Sequence, residues 1–240
     1  SKKETEMIKK EGIPAGYHRR KTMTYEQVKE DEAVRVYIDQ ADASLKALGF
    51  TEHSFQHVTR VAQTAGWILE TLGYPDRTVE LVKIAGYLHD IGNVVNRVDH
   101  SQSGAVMAFR ILDRMNFLPE EIAAIVTAIG NHDEGTGQPV SAFAAALILA
   151  DKSDVRRSRV RDKATVALDI HDRVNYSVTD CHLEFDEAHT CIRLILTVDT
   201  ELGSVMEYLE IFMKRMLLCQ KAAQALGLTF HLVINGQLLV

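Results

Sequence analysis

A mainly α-helical protein ending in a small α+β unit is what this sequence predicts, and three observations predict it. Apolar residues recur at helical spacing from Thr24 to about residue 160. β-Branched and aromatic residues in rough alternation enter only after Lys163. Finally, 240 residues at 46% hydrophobic and 25% charged make an ordinary globular composition, long enough for one large core or a core with a small appendage. The chain divides accordingly into an N-terminal arm, residues 1–23, an all-helical domain, residues 24–163, and a small α+β domain, residues 164–240, of antiparallel strands and one long helix.

The arm is charged, carries Gly12, Pro14 and Gly16, and shows no periodicity. Thr24 with Gln27 three residues on has the form of a capping box; Val34, Ile38, Ala41, Leu45 and Leu48 then repeat as far as Gly49, which predicts one first helix. A second, from about Glu52 to Leu72, stops at Gly73-Tyr74-Pro75, with Gly at the usual stop position and Pro beyond it. A third runs from Asp76 to about His89. Ser101 to Met115, Pro119 to Ile129 and Ser141 to Val155 follow, the last apolar nearly all round from Phe143 to Ala150. Arg173 to Phe185 and Cys191 to Val198 then read as strands around the turn Asp186-Glu187-Ala188-His189. A long helix from about Ser204 to Leu226 ends at Gly227, and Thr229 to Ile234 with Leu238 to Val240, split by Asn235-Gly236, reads as another strand or hairpin.

Composition excludes several classes. The longest apolar run, around Ala144 to Ala150, is far short of the roughly 20 residues that span a bilayer, and the Lys-rich start leads into no apolar segment. A soluble, cytoplasmic protein without a membrane partner is expected. A net charge of −6 provides no general basic field, so stable nucleic-acid binding is not expected either. Cys181, Cys191 and Cys219 are odd in number and lack C-x-x-C spacing, which predicts free thiols. The ten histidines carry more information, since histidine is the commonest metal ligand.

Six residues stand out: His57, His89, Asp90, His100, His132 and Asp151, with Asp133 beside His132. They are spread over the predicted helices, on them or at their ends, as in bundles whose facing helices build a metal site. The context is apolar. His89-Asp90 ends Ile84-Ala85-Gly86-Tyr87-Leu88 and is followed by Ile91-Gly92, while Asp151 closes the run from Ala144 to Ala150. A carboxylate there is costly to bury without a cation or donor beside it.

In that order and context the residues resemble the HD-domain superfamily of metal-dependent phosphohydrolases, over about residues 50–160. The likeness is greater to its His-Asp-Ile-Gly branch, including degenerate HD-GYP proteins and the HD domain of ribonuclease Y. The resemblance implies that His57, His89, Asp90 and Asp151 bind one divalent metal and that Asp90 bridges to a second held by His100 and His132, with Asp133 completing it. Mn²⁺, Fe²⁺, Ni²⁺ or Zn²⁺ suits such a donor set. Two such ions, ~3.5–4 Å apart, can share a hydroxide that attacks phosphorus, with Asp90 as the catalytic carboxylate. The implied substrate is a small phosphate ester, of a nucleotide or of a cyclic or short oligonucleotide.

Departures from the pattern shape the rest. Relatives often carry Lys after the Gly, facing a substrate phosphate; here the residue is Asn93, a candidate substrate-binding residue in that place with a neutral amide for the charge. Gln138 stands where the Gly-Tyr-Pro signature has Tyr. Lys152 and Arg156, one and five residues after Asp151, are candidate replacement phosphate anchors, with Asp154 steadying Lys152 or a ligand imidazole. His53, one turn before His57, reads either as pocket rim or as surface. The alternative to an enzyme is a non-catalytic nucleotide- or metal-sensing module signalling through residues 164–240, which could also form a homodimer.

Overall fold

Two helices lie between Thr24 and Gly49, where the sequence predicts one. A computed structural model describes residues 23–162, 166 and 169–239, and in it α1 (Tyr25–Glu30) and α2 (Glu32–Ala47) are separated by Asp31 in extended backbone, φ −64° and ψ 122°. Asp31 breaks the helix because its carboxylate accepts from Val34 N and caps α2, satisfying an N–H that a continuous helix would have paired internally. The capping box of Thr24 and Gln27 is present. Next come α3 (Phe55–Thr71), α4 (Asp76–Leu88), a 3₁₀ turn at Ile91–Val94, α5 (His100–Arg114), α6 (Pro119–Gly130) and α7 (Ala142–Lys152). The last is shorter than predicted: Ser153 is its C-cap, and Asp154 and Val155 lie beyond it. Among these residues no helix is long and apolar enough to cross a membrane.

The C-terminal part needs two corrections. The segment read as a strand from Arg173 is first a helix, α8 (Ile170–Ser177), capped by Asp169, and only then β1 (Val178–Phe185). β2 (Cys191–Val198), α9 (Val205–Ala225), β3 (Thr229–Ile234) and β4 (Gln237–Leu238) complete a four-stranded sheet of order β1-β2-β3-β4. β1/β2 and β3/β4 are antiparallel as expected, but β2 and β3 are parallel, Leu194 opposite Leu232, because α9 carries the chain back to the starting end of the sheet. Apart from Met23, the expected arm lies outside the described residues, as do residues 163–165 at the expected domain boundary and Val240.

The core sits around α7. It packs against α3, α4 and α6 on one side and α9 on the other, so every residue from Ala144 to Ala150 is buried. That enclosure explains a helix apolar all round, and each of Leu147, Ile148 and Leu149 contributes about 1.5–3 kcal/mol by its burial. At one end of this core the 3₁₀ turn lies between α2 and α5. The approach to α5 is backbone to backbone: a Cβ on Gly92 would overlap the carbonyl oxygen of His100 and lie 2.5 Å from Gly104 N. Gly92 of His-Asp-Ile-Gly and Gly104, four residues after His100, thus answer a single packing requirement. Gly92→Ala is expected to cost about 1–3 kcal/mol, read from urea unfolding of the metal-free protein. Unchanged stability would show that the contact is easily relaxed.

Candidate metal centre

Helix ends converge to build the site. His57 lies in the first turn of α3, His89 caps the C-terminus of α4 with Asp90 next to it, and His100 opens α5. His132 follows the C-cap of α6, and Asp151 is in the last turn of α7. The four imidazoles and Asp90 are buried, and Asp151 is nearly so, its side chain 11% exposed.

Each imidazole is held through Nδ1. His57 donates to Asp154 Oδ2 (2.7 Å), His89 to Gly86 O (2.7 Å), His100 to Arg97 O (3.1 Å) and His132 to Ile129 O (2.6 Å). Carbonyls and carboxylates only accept, so each Nδ1 carries a proton and each Nε2 turns inward, presenting a lone pair wherever the imidazole is neutral. There it meets more acceptors. His57 Nε2 is 3.6 Å from Asp90 Oδ2 and 3.4 Å from Asp151 Oδ1, and His89 Nε2 is 3.4 and 3.5 Å from the same two atoms. His100 and His132 face each other Nε2 to Nε2 at 3.2 Å, with Asp90 Oδ1 3.5 and 4.0 Å away.

His57 Nε2, His89 Nε2 and Asp90 Oδ2 are buried without a hydrogen-bond partner among the described residues. Orphaned acceptors crowded together are unfavourable unless a cation lies between them. Metal–ligand bonds of ~2.0–2.2 Å put neighbouring donors roughly 3–3.5 Å apart, close to the observed spacing. Donor atoms of His57, His89 and Asp151 lie within 4.8 Å of one another, as do those of His89, Asp90 and His132. The donor set therefore fits divalent metal.

The same contacts set the protonation of the centre. Burial opposes their charge, yet His89 holds Asp90, and Lys152 with His89 holds Asp151, well below the ordinary carboxyl range. Burial pushes His132 and His53 well below, and lowers His100. His89 is the exception: against its burial, Asp90 and Asp151 push it up to about 10, so a metal binding there displaces a proton.

The remaining candidates are placed differently. Asp133 Oδ1 is 4.0 Å from His100 Nε2, at the edge of the second cluster, while its Oδ2 accepts from Gly135 N. Asn93, expected to bind substrate, turns away from solvent and donates Nδ2–H to Asp90 O (2.9 Å) and Oδ1 (3.1 Å), so it steadies Asp90. Lys152 Nζ is enclosed between Asp151 Oδ2 and Glu134 Oε2, each 2.7 Å away. Arg156 pairs with Asp154 and Glu52. Asp154 steadies His57, one of the two roles its position allowed.

Three residues near the site went unread in the sequence or were left open. His53 is 3.9 Å from Asp90 Oδ2; sharing the His57 face four residues earlier was its signal. Arg97 approaches His100 Nε2 at 3.3 Å. Arg215, on α9, reaches Glu134 Oε1 at 3.1 Å, and no local pattern announces it. Two comparisons bear on what the site is. The HD domain family model matches residues 54–174, half of the chain. An uncharacterized protein of Methanocaldococcus jannaschii is 25% identical over 211 residues, which cover 78% of this chain and 81% of that one.

Proposed function

This chain belongs to the HD-domain family of metal-dependent phosphohydrolases, and from that premise we propose that it hydrolyses a phosphate ester of a nucleotide, or of a cyclic or short oligonucleotide, using two divalent metal ions. The carrying observation is how Asp90 divides. Oδ2 faces His57 and His89, at 3.6 and 3.4 Å, and Oδ1 faces His100 and His132, at 3.5 and 4.0 Å. A carboxylate between two sets of inward lone pairs has the disposition of a bridging ligand.

Divalent ions so held would lower the pKa of water toward neutrality and draw charge from phosphoryl oxygens. The chain's own groups prepare the rest. Gly86, Ile129 and Arg97 carbonyls and the Asp154 carboxylate fix the imidazole tautomers, and Asn93 fixes Asp90. Burial excludes bulk water and so strengthens every charge interaction within. His53 donates Nδ1–H to Thr51 O, which leaves Nε2 facing Asp90 as a proton acceptor at the rim.

His100→Ala tests the metal count. Elemental analysis is expected to give about two metals per chain for wild type and about one for the variant; one metal in both proteins would leave a mononuclear site. The substrate class is tested by assaying mononucleotides, cyclic dinucleotides and short RNA. A sensing role has one supporting feature: Asp151, Lys152, Glu134 and Arg215 form a continuous ionic chain from the site to α9. Ligand binding without turnover on any member of the panel would favour that role.

A further inference from the structure

We infer that Arg97 is the cation that grips the substrate's phosphoryl group, an assignment that rests on the phosphohydrolase reading above. Other cations around the centre are already neutralised. Lys152 has Asp151 and Glu134, Arg156 has Asp154 and Glu52, Arg60 lies 3.3 Å from Asp154, and Arg215 has Glu134. An anion approaching any of these must compete with a carboxylate, and Arg159, which has none among the described residues, is buried with its N–H groups on the carbonyls of Glu52 and Asp154. Arg97 differs: among the described residues no carboxylate lies within 4.0 Å of its guanidinium. Its contacts are the neutral Asn93 Oδ1 at 3.4 Å, the lone pair of His100 Nε2 at 3.3 Å, and the ring of Phe50, 5.6 Å from the centroid.

The placement is specific. Arg97 is the one cationic residue between Asp90 and His100, and it is half-buried at the edge of the cluster. Its carbonyl accepts from His100 Nδ1 while its guanidinium donates toward Nε2, so it addresses both nitrogens of one ligand. A metal on His100 Nε2 uses that lone pair, and the guanidinium N–H then needs another acceptor. A phosphoryl oxygen at the same centre meets the need, and the planar fork of arginine suits two such oxygens. The Phe50 face holds the guanidinium over the site instead of letting it turn to solvent.

The test titrates inorganic phosphate into metal-loaded protein by calorimetry, with metal content measured alongside, for wild type, Arg97→Ala and Arg97→Lys. The expected result is unchanged metal content, phosphate affinity about tenfold weaker in Arg97→Ala, and partial recovery in Arg97→Lys. On the best ester found, KM should rise in step. Wild-type phosphate affinity in Arg97→Ala overturns the assignment, as does a wild type that binds no phosphate. Loss of metal in both variants also overturns it, making Arg97 a support for His100. A wild type that binds phosphate through Arg97 but hydrolyses no ester would sink the enzyme reading and leave the anchor standing.

Discussion

Asp90→Ala is expected to abolish hydrolysis and to strip metal from the protein. Asp90 lies between the two imidazole pairs, and its two oxygens face different ones. Deleting it leaves four inward lone pairs with one carboxylate, Asp151, to balance bound charge. The rate should fall by more than about a thousandfold, beyond the 10²–10³ that loss of one electrostatic contact costs. Elemental analysis should show both ions weakened together. An Asp90→Ala protein that turned over its best substrate within tenfold of wild type, metal present, would contradict the bridging assignment.

Asp154→Asn should act at a distance from the reacting atoms. Asp154 is 2% exposed and accepts from His57 Nδ1 at 2.7 Å, from Arg156 Nε at 2.5 Å, and lies 3.3 Å from Arg60 Nε. An amide keeps the volume and loses the charge, which removes the carboxylate that makes His57 a better donor and strands two guanidinium groups. Metal affinity is expected to fall about 10–100-fold, and stability at pH 7 by about 3 kcal/mol or more. The pH dependence has a definite sign. Burial opposes ionisation of Asp154, but hydrogen bonds from His57 and Arg156 hold its folded carboxyl below the ordinary value. Its contribution is present above the unfolded carboxyl value of about 3.9 and is lost as pH falls through the folded one. Urea unfolding of wild type and variant should therefore converge as pH drops below about 4. Parallel curves across that range, with equal metal affinity, would mean that Asp154 is a bystander.

Most of the helices were legible because their signals are local. A repeat such as Val34, Ile38, Ala41, Leu45 lies within one stretch of chain, and so does Gly73-Tyr74-Pro75. The errors arose where two local signals competed. Asp31 could continue a helix or cap the next one, and the cap prevailed because Val34 N was available to it. In α8 the alternation from Arg173 hid a helix started by Asp169, whose carboxylate accepts from His171 N and Asp172 N. That these histidines and aspartates come together was readable from order and context. The fate of its cations was not: Glu134 and Glu52 neutralise Lys152 and Arg156 from other elements, and no spacing rule reports a partner supplied by a loop or by the start of another helix. Asn93 shows the same limit. Its departure from the family pattern was visible, but not that its amide would turn inward to Asp90.

The position of α7 between α3 and α9 has a consequence for synthesis. α7 ends at Lys152 and α9 begins at Val205, so the helix is made roughly fifty residues before its second cover, several seconds at ~5–20 residues per second. During that interval a nascent chain has α3, α4 and α6 to close one side of α7, while the side that α9 will occupy is bare and oily. The vulnerable species is therefore the incomplete chain on the ribosome, and ribosome-associated chaperones should crosslink to α7 in chains stalled before Val205 and release it once α9 has emerged.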